Sequence, residues 1–138
     1  MSTKSIGTKA SSLSVKERRI AATLYNWESL VQKYFHETVE VQTVMFFLFL
    51  ATREEAVDMT SVASSLGLTK ASASRNYYRL SEGLRGTEGL GLVESIGDPM
   101  DFRRKLLQLT PKGIEVAQEL SGYILTSAER ILNNAKGE

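Results

Sequence analysis

The sequence predicts a mainly α-helical chain with one small β-hairpin, on three observations. Long apolar stripes at helical spacing stand near both ends, one starting at Ile20 and one at Ile114. Between them, two short helical patterns meet at Gly67-Leu68-Thr69. Two extended stretches then flank the turn formers Gly97, Asp98 and Pro99. The 138 residues make about one domain, since domains run to ~100–200 residues, and 42% hydrophobic content gives it a core to bury.

Residues 1–13 are rich in Ser, Thr and Lys and are expected to be a flexible tail, in which Lys4 and Lys9 are available to touch a polyanion. Ser14 opens the first helix, because Ser14 with Glu17 is a capping box in which each side chain covers an orphan backbone N–H. Ile20, Leu24, Trp27, Val31 and Tyr34 carry its apolar stripe to about residue 35. Aromatics at this spacing read as core, so Trp27 and Tyr34 are assigned no ligand. Thr38 is expected to cap a second helix holding the run VMFFLFLA, whose polar flanks Gln42, Arg53, Glu54 and Glu55 favour a helix over a buried strand.

A short helix over residues 60–66 turns Val62, Ala63 and Leu66 inward. Gly67 suits the left-handed position that ends it, and Thr69 suits the cap of the next. That next helix sets Ala73, Tyr77, Leu80 and Leu84 on one face and leaves Lys70, Ser72, Arg75, Asn76 and Arg79 on the others. Two helices joined by a short glycine turn are a helix-turn-helix. Strands over 92–96 and 105–109 follow, with Leu107 and Leu109 on one side, and Thr110-Pro111 starts a last helix carrying Ile114, Ala117, Leu120, Ile124, Ala128 and Ile131.

The predicted architecture is therefore a winged helix-turn-helix flanked by N- and C-terminal dimerisation helices. A single domain spans 14–138, with dimerisation helices at 14–37 and 111–136, a central lobe at 38–110 and a wing at 92–109. The end helices carry more apolar surface than a small winged helix buries, which marks an interface, most simply a two-fold homodimer.

Several function classes drop out. With no cysteine there are no disulfides, thiolate metal sites or thiol redox sensing. His36 is the only histidine, and no adjacent serine or carboxylate completes a triad with it. Glu54, Glu55 and Asp58 read as a solvated turn, and the glycines at 83, 86, 89 and 91 match no phosphate-cradling pattern. No enzyme, cofactor or metal is expected. The polar start and the short apolar run, against the ~20 residues a membrane span needs, predict a cytoplasmic protein without a membrane partner.

Charge is what remains informative. The chain is nearly neutral, +1 from 17 basic and 16 acidic residues, but the charge is unevenly spread. Residues 69–85 hold Lys70, Arg75, Arg79 and Arg85 against Glu82 alone. Residues 97–105 hold Arg103, Arg104 and Lys105 against Asp98 and Asp101. A helix that mixes cations with small polar residues fits a major groove, where it meets both phosphates and base edges. Asp101 and Arg103, two apart on a strand, share a face, so the carboxylate is expected to hold the guanidinium ready for a narrow minor groove.

The stretch Asp98-Pro99-Met100-Asp101-Phe102-Arg103, followed by Leu107, Leu109-Thr110 and Gly113, resembles the wing signature DxxDxR…LTxxG of the multiple-antibiotic-resistance regulator (MarR) family. Ser74-Arg75 with Arg79-Leu80 is similar to that family's recognition helix, and Gly91-Leu92-Val93-Glu94 to its strand leading into the wing. The resemblance implies a dimer reading a pseudo-palindromic operator, most often as a repressor released by a small-molecule effector. It places Arg103 in the minor groove with Asp101 orienting it, and Ser74, Arg75 and Arg79 on the recognition helix. Two departures stand out: the connection over 80–91 is long, either an extended helix or a loop with contacts of its own, and the chain after Gly113 has room for one long helix where relatives commonly have two.

The function expected is a homodimeric, sequence-specific regulator on double-stranded DNA. Lys70, Arg79, Arg104 and Lys105 are expected on phosphates, Ser72, Arg75 and Asn76 on bases in the major groove, and Arg103 in the minor groove. The alternatives are a winged-helix adaptor that docks a protein through its apolar end helices, and an architectural DNA binder without a palindromic site.

Overall fold

In the computed structural model, which describes residues 12–137, helix α1 (Val15–Tyr34) begins where the capping box sets it. Ser14 Oγ accepts from the Glu17 N–H at 3.1 Å, and Glu17 Oε1 accepts from the Ser14 N–H at 2.8 Å. The predicted tail, with Lys4 and Lys9, lies outside the described residues apart from Ser12 and Leu13. The VMFFLFLA run is helical, as its flanks suggest: α2 (Val41–Ala51) buries Val44, Phe46, Phe47 and Leu50. Its cap differs from the expectation. Glu40 precedes the helix without a side-chain cap bond, while the Thr38 hydroxyl sits 2.8 Å from His36 Nδ1, two residues too early to cap α2.

A two-residue strand that the sequence does not announce, β1 (Val57–Asp58), leads into α3 (Met59–Leu66). Asp58 is both strand residue and cap: its carboxylate accepts from the Ser61 N–H at 3.3 Å and from the Ser61 hydroxyl at 2.6 Å. Gly67 takes the left-handed conformation, φ 66°, that ends α3, and the Thr69 hydroxyl caps α4 (Lys70–Leu80) by accepting from the Ser72 N–H at 3.1 Å.

Helix α4 stops at Leu80, so the long connection is a loop and not a helical extension. It folds back on the helix end. The N–H groups of Leu90, Gly91 and Leu92 donate to the carbonyls of Arg79, Ser81 and Leu80 at 3.1, 2.9 and 2.8 Å, which satisfies groups a helix terminus leaves open. The fold-back brings Gly83 and Gly89 backbone to backbone, with no room for a Cβ on either.

Strands β2 (Val93–Asp98) and β3 (Asp101–Leu109) then form the hairpin, and β1 adds on the other side of β3 in the antiparallel order β1-β3-β2. The strands run closer to the tip than the expected 92–96 and 105–109, leaving Pro99-Met100 as the turn, with Asp98 opposite Asp101. Helix α5 (Pro111–Gly137) is the single long last helix; the Thr110 hydroxyl accepts from the Gly113 N–H at 3.0 Å and donates to Gly91 O at 2.7 Å.

Both outer helices pack on the lobe and on each other. Val31 and Phe35 of α1 and Val116 and Leu120 of α5 join the core built on Phe46, Phe47, Val62, Leu80, Leu92 and Leu107. Phe35 meets Phe47 edge to face at 5.1 Å, and Trp27 is part of this packing, its indole N–H donating to Leu120 O at 3.1 Å. Farther along, apolar side chains are left to solvent: Ile20, Leu24 and Tyr25 on α1, Ile124, Leu125 and Leu132 on α5. Among the described residues no helix is long and apolar enough to cross a membrane.

Candidate nucleic-acid interface

Helix α4 is the second helix of the helix-turn-helix, held by Ala73, Tyr77 and Leu80 in the core. Ser72, Arg75 and Arg79 recur at spacings of three and four and so share its outer side. Lys70 and Arg75 are exposed, with no carboxylate within salt-bridge distance among the described residues; Ser72 and Ser74 are half-buried. Arg79 is engaged, its Nη1 3.1 Å from Glu40 Oε1 at the start of α2. This pair ties the far end of α4 to the lobe. Tyr78, partly exposed and edge-on to Tyr77 at 5.3 Å, also faces outward, which the sequence reading did not single out.

Asn76 is corrected. It is 2% exposed, not on the outer face, and lies between α4 and α2, where Oδ1 accepts from the Thr43 hydroxyl at 2.6 Å. Its Nδ2 donates to Ser72 O at 2.9 Å. A buried amide is stable only with such partners, and buried between two helices it cannot reach a base edge. Asn76 positions the helix.

The wing overturns a second expectation. Asp101 does not hold the Arg103 guanidinium: its Oδ1 accepts from the Arg103 backbone N–H at 3.1 Å, closing the tip. The guanidinium held by acids is the next one along. Arg104 Nη2 lies 3.0 Å from Asp58 Oδ1, and its Nη1 lies 4.0 Å from Asp98 Oδ2. The side chains of 103 and 104 point to opposite faces of β3, and only the face of Arg104 passes over Asp58 on β1. The Ser61 hydroxyl holds the Asp58 carboxyl below its ordinary value, burial opposes it, and Arg104 adds a further lowering. The bond to Asp58 in turn raises the Arg104 guanidinium. Arg103 and Lys105 are exposed and, among the described residues, free of any carboxylate partner. Met100 and Phe102 at the tip are each 92% exposed.

His36 is a surface residue engaged with Thr38. A cleft of 370 Å³ opens between the α1–α2 connection and the loop after α4, bounded by Phe35, His36, Glu40, Arg79, Leu84 and Leu90. No local pattern announces it, because its walls come from two separate stretches, 35–43 and 79–90.

No family model matches the chain, and no curated protein does. Solved structures do. MepR of S. aureus, solved as a complex with DNA, superposes with a TM-score of 0.65 at 16% identity, over 90% of this chain and 95% of that one. PcaV, a transcriptional regulator of Streptomyces coelicolor solved with its natural ligand, gives 0.51 at 24% identity over 92% and 85%. MarR gives 0.51 at 20% identity over 88% and 81%. The chain has the winged helix-turn-helix fold of MarR and these related regulators.

Proposed function

We propose that the protein is a sequence-specific, DNA-binding transcriptional regulator, a homodimer that represses by occupying a pseudo-palindromic operator. The observation that carries this reading is the arrangement of free cations: Lys70 and Arg75 on the outer side of α4, Arg103 and Lys105 on the wing, in a fold that MepR presents to DNA. Arg75 with Ser72 and Ser74 reads bases in the major groove, and Arg103 enters the adjacent minor groove. Lys70 and Lys105 take phosphates. Arg79 and Arg104 join them with the N–H donors their carboxylates leave free, since a guanidinium carries five. The apolar residues left exposed on α1 and α5 supply the two-fold contact. A small effector in the 370 Å³ cleft would touch Arg79 and the end of α4, which is how its binding would reach the DNA-reading helix.

Duplex binding across a salt series tests the proposal. If a dimer makes roughly 6–10 phosphate contacts, log affinity falls with log salt at about −0.9 per contact. Arg75→Ala relaxes the choice at one base pair per half-site by about 1–3 kcal/mol, read by competition between duplexes. Binding that ignores salt, or no retention on duplex DNA or heparin at low salt, moves the assignment to a protein-docking adaptor. Salt-dependent binding with no sequence preference moves it to an architectural binder.

A further inference from the structure

Two apolar side chains stand almost wholly in solvent: Met100 and Phe102, each 92% exposed, against 74% for Tyr25, the next most exposed large apolar residue described. Scattered surface apolars need no explanation. These two, however, sit on a braced projection. Asp98 Oδ1 accepts from the Met100 N–H at 2.9 Å and Asp101 Oδ1 from the Arg103 N–H at 3.1 Å, which fixes the two-residue turn. Below it, Arg104 bolts the hairpin to Asp58 on the neighbouring strand. The chain thus holds an aromatic ring and a thioether at the end of a hydrogen-bonded hairpin, with the unpaired cations Arg103 and Lys105 directly behind them.

An apolar protein groove would accept the ring but gives no reason for the cations to crowd it, and an anionic membrane would accept ring and cations but leaves the exposed Lys70 and Arg75 of α4 without a role. A duplex accounts for both. Its phosphates line the minor groove, and its apolar interior, the base stack, is reachable through that groove by a narrow side chain that levers a step open. We propose that Phe102, with Met100 beside it, is a wedge that partly inserts between two base pairs in the minor groove while Arg103 and Lys105 hold the bordering phosphates. The inference rests on the DNA-binding reading above and adds to it a kink. It also changes the sequence preference under the wing: a wedge favours a pyrimidine–purine step, which unstacks readily, whereas an arginine alone favours a stiff, narrow A-tract.

The test uses a duplex recovered by selection of bound sequences, with 2-aminopurine placed in turn at each step under the wing, and measures fluorescence and affinity together. Binding of the full chain should raise the fluorescence at one step in each half-site. Phe102→Ala should abolish the rise and weaken binding about tenfold, and Phe102→Trp should retain both. Phe102→Lys is the sharpest variant: it adds a cation, so a purely electrostatic wing binds tighter, whereas a wedge is lost and binding weakens. Because position 102 is bare, circular dichroism should show all three variants folded. Tight binding with 2-aminopurine quenched throughout and Phe102→Ala unaffected overturns the wedge and leaves the regulator reading standing. Absence of any duplex binding by the unmodified chain overturns both.

Discussion

Helix α4 and the wing each carry three basic side chains, Lys70, Arg75 and Arg79 on one, Arg103, Arg104 and Lys105 on the other. In each set one arginine is tied to a carboxylate supplied by a different element: Arg79 to Glu40, Arg104 to Asp58. The two regions differ in what lies beneath them. Helix α4 rests on the core through Ala73, Asn76, Tyr77 and Leu80, whereas the wing tip projects with Met100 and Phe102 bare. The lesson is that a binding surface is divided between residues that fix its position and residues left over to bind. On α4 fixing is done by burial, and on the wing by the two ion pairs of Arg104 and two side-chain-to-backbone bonds. Damage to the first should cost mainly stability; damage to the second should cost little stability and mainly binding.

The largest effect expected from that contrast is at Leu80, fully buried at the end of α4. Leu80→Ala should destabilise the chain by about 2–5 kcal/mol in chemical denaturation, while Phe102→Ala should stay within about 0.5 kcal/mol of the parent. Equal losses at the two positions would break the distinction.

Thr43→Val sharpens it at intermediate size. The change keeps the shape of the side chain but strips the donor from Asn76 Oδ1 in a buried site. It should cost about 1–3 kcal/mol of folding stability. A neutral result would mean that packing alone sets the pose of α4.

The smallest effect belongs to the wing anchor and is visible through pH. Asp58 titrates below its ordinary value when folded, chiefly because of Ser61 and then Arg104. A carboxyl depressed by folding adds stability that is complete above its unfolded pKa, about 4, and is lost as pH falls through its lower folded value. Thermal unfolding of Asp58→Asn should therefore fall below the parent at pH 6 and converge on it in acid, as pH falls through the lowered folded value. A gap that persists in acid would assign the role of Asp58 to something other than its charge.

What was legible in the sequence was local. The Ser14–Glu17 box, the Gly67 stop, the Thr69 cap and the hairpin about Pro99 all depend on residues within three or four positions of each other, and each appears where it was read. Thr38 shows the limit even there, because His36 takes its hydroxyl. The misread features depend on partners far along the chain. Asn76 looks like a surface amide until Thr43, 33 residues away, is placed against it. The acid that organises the wing is not Asp101, two residues from Arg103, but Asp58, 46 residues from Arg104. Strand β1, which carries Asp58, has two residues and therefore no periodicity to detect.

The most direct measurement is a selection of bound duplexes from a random-sequence pool at moderate salt. If α4 and the wing together read DNA as a two-fold pair, the pool should converge on an inverted repeat with half-sites about one helical turn apart. Recovery of duplexes without a shared motif, or of nothing above background, would contradict it.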